Sequence, residues 1–439
     1  MDNARAQPVE AQGELPATAD VVIVGGGIVG VCTALALARR GVKVVLCEKG
    51  RIGGEASGRA MGWIDNQLFS PAKIEITVAA KRLWAKLAQE LGPALGYRSS
   101  GLLTILPDAA ARAQAQDWLV ETAGLHGVDA QLCTGASLHA LAPWAQKGDT
   151  ALFQPSDASV EPKAAAPVIA KAARKEGAVI LQNCAVRGLE LNAGRISAVV
   201  TEHGQVKCSK LVLTAGIWAP LFCKSLGLTL PQLKIFASVL RTSPIANGPA
   251  GSGSIPGVIW RPQDDGGYSV ARLHGLAPIT PDALRHMRAF WPAFRAMRKE
   301  VTPVLGTDFF RELAYPSRWS LTQPSLFEKH RVFAPTPRPA PLHAALAQLA
   351  RSIPAFATAK VEEIWAGALM NTPDNMPVIS AVPGLEGLFL GAGFYYGLTM
   401  APAAGQALAA LAMGETPEID LAPFRFSRFS DGSRLTLQA

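Results

Sequence analysis

The sequence predicts an α/β protein in which a parallel sheet covered by helices carries an inserted domain built on an antiparallel sheet. Three observations support this prediction. Residues 20–48 read as strand, glycine turn, helix and strand. Helices and strands then alternate, and the middle third of the chain changes to strands joined by short turns. The alternation is typical of a sheet with helices packed on it, and successive short strands are typical of antiparallel sheets.

The first unit has the pattern of a dinucleotide-binding turn and predicts a Rossmann-like domain. An apolar run precedes a GxGxxG motif, a helix follows, and an acid ends the second strand. One glycine permits the tight turn, the next lets the backbone approach a pyrophosphate, and the third lets the helix pack closely, while the acid binds a ribose hydroxyl pair. The residues assigned to the dinucleotide here are Gly25, Gly27, Ile28, Val29, Gly30, Glu48 and Lys49.

The next segments predict alternating elements. Helices are expected at 74–91, at 108–124 and after Pro162, which suits a first helical turn, with Gly177 past the helix end. Residues 134–149 are expected to be rich in loops. Strands follow from "AVILQ" to "CSKLVLTAG", and a last strand, glycine turn and apolar helix come near the end, from "GLFLGAG" onward.

The middle third predicts antiparallel strands "LKIFASVLRT", "GVIWRP" and "GYSVARL", the last two joined by a "QDDGG" hairpin turn. A helix kinked at Pro292 is expected over 281–300. Residues 17–95, 150–230 and 360–439 are therefore assigned to a discontinuous nucleotide domain, 96–149 and 231–359 to a substrate domain, and 1–16 to a flexible tail.

Composition narrows the class of protein. At 439 residues and 49% hydrophobic, the chain can form two domains. Residues 19–38 are apolar enough to resemble a membrane span, but their glycine cluster favours a buried strand and helix, so no span is expected. The start lacks the pattern of a signal peptide, and six cysteines show no CxxC pair or zinc spacing, which favours reduced thiols in a cytoplasmic protein.

The net charge of +8 arises from scattered Arg and Lys, densest between Arg285 and Arg331. This charge could steer an anionic substrate or contact an acidic partner, although a solvated surface is the simpler interpretation. Nucleic-acid binding is not indicated, because no basic repeat is interleaved with aromatic residues.

Four separated segments together resemble the flavoprotein family of glycine oxidase, D-amino-acid oxidase and monomeric sarcosine oxidase. They are the GxGxxG unit with Glu48, "GGEASGRAMGWI", "LVLTAGIWAP", and "IWAGALMNTPDNMPVIS" followed by "GLFLGAGFYYGLTMAPAAG". The match runs piecewise over about residues 19 to 415 and is weakest across 231–359. The resemblance implies FAD as cofactor and a small amine or amino-acid-like substrate, with a homo-oligomer or an electron-acceptor protein as further partners.

The resemblance also assigns residues to FAD. In the family the second motif lines the diphosphate, and the backbone at the position of Val186 holds the adenine. The third motif lies by the cofactor. The N–H groups at the start of the last helix face the flavin's pyrimidine edge. Beyond the GxGxxG unit, these residues are Ala56, Ser57, Arg59, Met61, Gly62, Val186, Ala215, Gly216, Trp218, Gly367, Gly393, Gly397, Leu398 and Thr399.

The sequence departs from the family at the substrate. Leu369 stands where amino-acid oxidases carry an arginine for the substrate carboxylate, and leucine cannot replace a guanidinium. Met370 and Arg59 stand near positions where some relatives attach flavin covalently, so non-covalent FAD is expected. Replacements considered for the arginine are Arg261, Arg272, Arg311 and Arg318, each also readable as a structural or exposed arginine.

The catalytic candidates are Tyr395, Tyr396, Tyr268, Asn371 and Arg261. Tyr395 and Tyr396 stand beside the expected flavin face, where a hydroxyl could orient substrate, and packing with a hydrogen-bonded tip is the alternative. His274 and Trp365 are weaker pocket candidates.

The predicted reaction is FAD-dependent oxidation of a C–N bond to an imine that hydrolyses. The missing arginine favours a secondary amine, a polyamine derivative or an opine-like amino acid. A flavin-dependent dehydrogenase of a 2-hydroxy acid or related alcohol is the alternative, and a binding module or an NAD enzyme is a third interpretation.

Overall fold

The protein is described by a computed structural model covering residues 6–10, 13–125 and 127–438. The strands of these residues, numbered along the chain, are β1 Val21–Val24, β2 Val44–Cys47, β3 Trp63–Ile64, β4 Leu102–Ile105, β5 Gln131–Thr134, β6 Thr150–Gln154, β7 Ala158–Ser159, β8 Val179–Leu181, β9 Val186–Asn192, β10 Arg195–Thr201, β11 Gly204–Lys207, β12 Leu211–Leu213, β13 Leu233–Thr242, β14 Ser252–Ile255, β15 Val258–Pro262, β16 Tyr268–Arg272, β17 Gly275–Pro278, β18 Val301–Val304, β19 Val361–Asn371, β20 Val378–Ala381 and β21 Leu388–Ala392.

The helices of the same residues are α1 Ile28–Ala38, α2 Ala56–Arg59, α3 Pro71–Leu91, α4 Ala109–Glu121, α5 Gly135–Leu141, α6 Pro162–Lys175, α7 Ala219–Ser225, α8 Pro281–Arg285, α9 Met287–Ala296, α10 Thr307–Leu313, α11 Leu326–Lys329, α12 Pro339–Ser352 and α13 Gly397–Met413.

A six-stranded sheet carries the nucleotide-binding pattern. Its order is β20-β21-β12-β1-β2-β8, parallel except for the antiparallel β20–β21 pair. The strands come from the beginning, middle and end of the chain. They are apolar on both faces because α1, α6 and α13 cover one side and the three-stranded sheet β11-β10-β9 covers the other. The predicted α/β fold is confirmed.

A larger mixed sheet faces this unit. Its order is β18-β17-β13-β16-β15-β14-β4-β6-β5, with β19 paired along β13, and most of its neighbours are antiparallel. The predicted hairpin joins β15 to β16, where the Gln263 N–H donates to the Gly267 carbonyl at 2.8 Å. β6 and β19 belong to this sheet although the sequence analysis assigned their residues to the nucleotide domain.

Three local predictions were wrong. Residues 134–149 contain a helix, α5, because Thr134 and Ser137 form a capping box at its start. The helix expected over 281–300 is divided at His286 into α8 and α9, and residue 301 already starts β18. Pro292 lies inside α9, so the break is not at the proline.

Residues 6–10, which belong to the predicted flexible tail, are packed against the protein instead. Val9 is buried, its carbonyl accepts from the Gln182 side chain at 2.8 Å, and the Gln7 N–H donates to the Lys163 carbonyl at 2.8 Å. These contacts tie the segment to α6 and to the end of β8. Residues 1–5 and 11–12 of the predicted tail lie outside the described residues.

The inserted segment from α8 to α10 has an unusual surface. Four arginines of this segment are exposed, namely Arg285, Arg288, Arg295 and Arg298. Their exposure agrees with the interpretation of the charge as solvated surface. Large apolar side chains are exposed beside them: Leu284, Met287, Trp291, Phe294, Leu305, Phe310 and Leu313. Among the described residues, no helix has the length and hydropathy needed to span a bilayer.

The core of the nucleotide unit depends on close packing of α1 against α13. Both helices are almost fully buried, and Gly405 of α13 lies against the backbone of Cys32 in α1. A Cβ on Gly405 would lie 2.7 Å from the carbonyl carbon of Cys32, inside van der Waals contact. The six cysteines are buried and free.

Gly405→Ala is therefore expected to lower the free energy of unfolding by about 1–3 kcal/mol, because the helices must separate to admit the methyl group. Thermal unfolding followed by circular dichroism measures the change. Gly13→Ala is the control, since nothing lies within 4 Å of a Cβ at Gly13. Equal melting temperatures for the two variants would contradict the packing described.

Candidate active site

A cavity of about 470 Å³ opens between the carboxyl ends of the parallel strands and the larger sheet. Such edges are where ligands bind in open α/β sheets. Most of the residues predicted for the site line it: Gly25, Gly27, Ile28, Val29, Glu48, Lys49, Ala56, Ser57, Arg59, Met61, Gly62, Val186, Ala215, Gly216, Trp218, Gly367, Tyr395, Tyr396, Gly397, Leu398 and Thr399.

The glycines of the first turn have the predicted local roles. Gly25 adopts φ +105°, and a Cβ there would lie 2.5 Å from the Thr214 carbonyl oxygen. A Cβ on Gly30 would lie 2.0 Å from the Gly25 carbonyl oxygen, so only glycine lets α1 start this close to the turn. α1 then begins at Ile28, whose N–H donates to the Ser57 hydroxyl at 2.9 Å, so the start of the helix and the second motif meet at the cavity wall.

Glu48 fixes this turn as well as facing the cavity. One carboxylate oxygen accepts from the Gly26 N–H and the other from the Gly50 N–H, each at 2.7 Å. Burial raises the pKa of Glu48, while the adjacent Lys49 and the Gly26 N–H oppose the rise. The carboxylate therefore holds the turn and the start of the following loop together, which the sequence pattern alone did not indicate.

Two cations at the cavity are held by protein groups. The Lys49 ammonium donates to Glu55 at 2.6 Å and lies 4.7 Å from the centre of the Trp218 ring. The buried Arg59 donates to the Ala366 carbonyl at 3.2 Å, which joins α2 to β19. These contacts make both residues part of the cavity's frame.

The far end of the cavity is formed by the start of α13. Tyr396 precedes the helix without a side-chain cap, and the first intrahelical bond runs from the Met400 N–H to the Tyr396 carbonyl at 3.1 Å, so the N–H groups of Gly397, Leu398 and Thr399 have no intrahelical carbonyl partner. The Trp84 indole N–H donates to the carbonyls of Leu398 and Thr399, at 3.1 and 3.2 Å, and fixes this turn from behind. The positive end of the helix therefore faces the cavity.

Tyr395 and Tyr396 wall the cavity beside this helix. Their rings lie 4.9 Å apart, and the Tyr396 ring lies 4.3 Å from the Phe69 ring. Burial raises the pKa of Tyr395 to about 12 and that of Tyr396 well above its usual range. Both phenols are therefore protonated at neutral pH and can donate hydrogen bonds.

Five predicted residues lie outside the cavity wall. Arg261 donates to the Met61 carbonyl at 2.7 Å and pairs with Glu161 at 3.0 Å. The buried Tyr268 donates to the Pro249 carbonyl at 2.8 Å and packs on Phe356. Tyr268 lies with Val270 on the strand face that packs into the core of the larger sheet, whereas Arg261 shares the face of Ile259 and is held by its contacts with Met61 and Glu161. The remaining three are Asn371, Gly30 and Gly393.

Asn371 and Gly393 contact other protein groups instead of lining the cavity. The Asn371 amide donates toward the Met297 sulfur at 3.8 Å. Gly393 has φ +72°, and its N–H donates to Gln232 at 2.8 Å, so it shapes the turn before α13. Among the weaker candidates, His274 lines the cavity, whereas Trp365 donates to the Arg59 carbonyl at 3.0 Å and lies outside it.

The cavity also contains polar residues that the sequence analysis missed, namely Asp65, Gln67 and Glu300. Asp65 and Gln67 follow directly after the second family motif, which was the available signal. Of the four arginines considered for a carboxylate, only Arg272 lines the cavity within the described part of the chain. Arg311 pairs with Asp308 on the exposed α10.

The residues present fit an FAD molecule. A positive-φ glycine turn, Glu48 and a helix start stand at one end of the cavity, and Val186 and Trp218 line it further along. The second helix start, at Gly397, stands at the other end. A cavity with one pyrophosphate-type turn and one polar helix end matches a dinucleotide that carries an aromatic ring system.

Comparisons with known proteins agree. Residues 20–411 match the family described as "DAO: FAD dependent oxidoreductase". The structure of L-amino acid deaminase from Proteus myxofaciens is 34% identical, with a TM-score of 0.94 over 98% of this chain and 97% of that one. Glycine oxidase of Pseudomonas aeruginosa is 26% identical over 92% of this chain and 97% of its own length.

Mitochondrial sarcosine dehydrogenase of Mus musculus is 26% identical over 94% of this chain. The chain spans only 42% of that protein's length. The family match covers most of the chain, and the chain belongs to the DAO family of FAD-dependent oxidoreductases. Its cofactor is FAD.

Glu48→Gln is expected to raise the dissociation constant of FAD by about 10- to 100-fold. One amide group cannot accept from both backbone N–H groups, and an unpaired buried N–H costs about 1–3 kcal/mol. Quenching of FAD fluorescence on titration of the apoprotein measures the affinity. Glu90→Gln, which alters an ion pair with Arg39 at the surface, is the control. Unchanged affinity in Glu48→Gln would contradict its role at the turn.

Proposed function

We propose that this protein uses FAD to oxidise the C–N bond of an α-amino acid to an imine, which water hydrolyses. Arg272 is the observation that carries the proposal. Arg272 is one of the residues that line the cavity, in a chain that has leucine at the family's arginine position, Leu369. A guanidinium binds a carboxylate through two parallel hydrogen bonds, so Arg272 can hold the substrate that Leu369 cannot.

Other residues of the cavity wall suit the rest of such a substrate. Phe69, Tyr396, Ile235 and Phe333 provide apolar and aromatic surface, which excludes water and can receive an apolar side chain. The protonated phenols of the tyrosine pair can donate to the substrate. No strong base is required to remove the hydrogen from carbon, because bound FAD supplies the hydride acceptor.

The start of α13 contributes to the same chemistry. Its unpaired N–H groups and positive end stabilise the negative charge that a reduced flavin carries on its pyrimidine edge. The indole of Trp84 keeps this turn in place. The protein's task is thus to orient the substrate between Arg272 and the flavin site.

Amino acids are favoured over the other substrate classes. The relatives named above act, by their names, on sarcosine, glycine or L-amino acids, and all three are α-amino acids. The presence of Arg272 weakens the reason for preferring polyamines. Oxidation of a 2-hydroxy acid is not favoured, since none of these names concerns an alcohol.

Arg272→Met is expected to reduce kcat/KM for an α-amino acid roughly 30- to 1,000-fold, mainly through KM. This factor corresponds to a free energy of about 2–4 kcal/mol. The FAD spectrum should stay unchanged. Steady-state kinetics with an amino acid and with the matching amine that lacks the carboxylate measure the effect, and the amine should show no loss. Arg311→Met is the control. An equal loss for both substrates would refute a carboxylate contact.

We further expect FAD to be held without a covalent bond, since Met370 and Arg59 occupy the cavity near the family's attachment positions. Precipitation of the purified protein with acid should release all of the flavin into the supernatant. Yellow colour that stays with the pellet would contradict this prediction.

A further inference from the structure

A buried polar network connects the cavity with the protein surface on the side of α3. Its centre is the ammonium group of Lys81, which donates to Asp157 and Ser156 at 2.7 Å each and to the Asn66 side-chain oxygen at 3.2 Å. Asp157 is fully buried and Lys81 is 7% exposed. Burying a charged pair at this depth costs desolvation free energy, so stability alone does not explain why the pair is present.

The inner end of the network reaches the cavity at Asp65. This carboxylate lines the cavity and lies 3.4 Å from the hydroxyl of Thr399 in the first turn of α13. Lys81 is near enough to oppose the rise in pKa that burial causes in Asp65, and Asp65 in turn raises the pKa of Asp157. The two carboxylates therefore share one buried cation.

The outer end of the network reaches solvent at Asp129. The Ser156 hydroxyl donates to the exposed carboxylate of Asp129 at 2.6 Å, and the Ser156 N–H donates to it at 3.1 Å. Ser156 thus touches Lys81 on one side and a surface acid on the other. The bonded network thus runs from Asn66 and the Lys81–Asp157 pair through Ser156 to Asp129, and Asp65, next to Asn66 in the chain, is its neighbour on the cavity side.

Unsatisfied polar atoms lie along this path. The second oxygen of Asp157, the Asn66 side-chain nitrogen, the Gln154 side-chain oxygen and the Ser159 hydroxyl are buried without a hydrogen-bond partner. Buried polar atoms are almost always satisfied, and ordered water is the usual partner where protein supplies none. Three of these atoms belong to residues bonded within the network, Asp157, Asn66 and Gln154, and such atoms are the expected lining of a short water chain.

We propose that this network is a proton exit path that carries the proton lost by the substrate's ammonium group from Asp65 to solvent at Asp129. The inference rests on the function proposed above. An N–H bond of the ammonium group breaks and its electron pair stays on nitrogen, while an O–H bond forms on Asp65. The proton then passes through ordered water to the free oxygen of Asp157 and leaves past Ser156.

The charges around the path suit repeated transfer. Burial raises the pKa of Asp65 to about 6 and that of Asp157 to about 7, so both can bind and release a proton near neutral pH. Lys81 lowers both values, Asp129 raises that of Asp157, and Thr399 lowers that of Asp65. Tyr97 and Tyr396, whose pKa values these acids raise, face the network in the protonated form.

The test uses FAD-loaded protein mixed without oxygen with an amino acid that reduces the wild type. Asp157→Asn is expected to slow flavin reduction about tenfold or more at pH 7 and to remove the inflection near pH 7, below which the wild-type rate falls. Release of protons to a pH-indicator dye should follow flavin reduction closely in the wild type and lag behind it in the variant. Asp108→Asn, a conservative change at the exposed cap of α4, is the control.

A double variant separates transfer from structure. Lys81→Met with Asp157→Leu removes both buried charges, so it avoids the lone ammonium that Asp157→Asn leaves behind. A proton path predicts that the double variant reduces its flavin as slowly as Asp157→Asn, with normal FAD affinity and melting temperature. Wild-type rates in the double variant would show that the pair serves only the fold and would overturn the proposal.

A measurement without substrate keeps this proposal separate from the proposed function. If no amino acid reduced the wild-type flavin, the proposed function would fail, but the path could still be examined by infrared spectroscopy. Asp65→Asn identifies the Asp65 carboxyl band, which should exchange with deuterium more slowly in Asp157→Asn than in the wild type. Equal exchange in the two proteins would contradict the path.

Discussion

The tight turn after β1 is the constraint on which the rest of the structure depends. Gly25 can turn there only because it lacks a side chain, and Glu48 ties that turn to the next loop through two backbone N–H groups. Once α1 starts at this point, α13 must pack against it at Gly405. The second helix end that faces the cavity is therefore positioned by the same packing that builds the first.

The larger sheet turns this nucleotide site into an enclosed reaction site. β13 and β19 pair along their whole lengths and bring Gly367 over α2, where a Cβ would lie 3.1 Å from that of Arg59. Arg272 reaches the cavity from β16 in the same sheet. One layer thus carries the residues that fit FAD, and the other carries Leu369 on β19 and Arg272 on β16, the residue proposed for the substrate contact.

Most residues that the sequence patterns assigned to the cofactor line the cavity, because those patterns are local. Local sequence is enough to recognise Gly25 as a turn glycine, Glu48 as the acid that ends a strand, and the glycine turn before α13. The substrate half of the site depends on contacts between residues that are distant in sequence. Arg261 and Arg272 belong to paired strands, yet only Arg272 is part of the cavity wall, because Arg261 is held by Met61 and Glu161.

Long-range packing also explains the other differences. Tyr268 was named as a catalytic candidate, but its strand directs it into the core beneath α12. Asp65 and Gln67 were overlooked because they follow a recognised motif without belonging to it. The Lys81 network joins α3, the β3 segment and the turn after β6, three elements that are distant in sequence and adjacent only in the fold.

The most direct test of this account is to mix the purified protein, without oxygen, with an L-α-amino acid or with the 2-hydroxy acid that has the same side chain. The account predicts that the protein shows the absorbance of oxidised flavin, and that only the amino acid removes it, with formation of a 2-oxo acid and ammonia. A protein without flavin absorbance, or one reduced by the hydroxy acid and not by the amino acid, would contradict it.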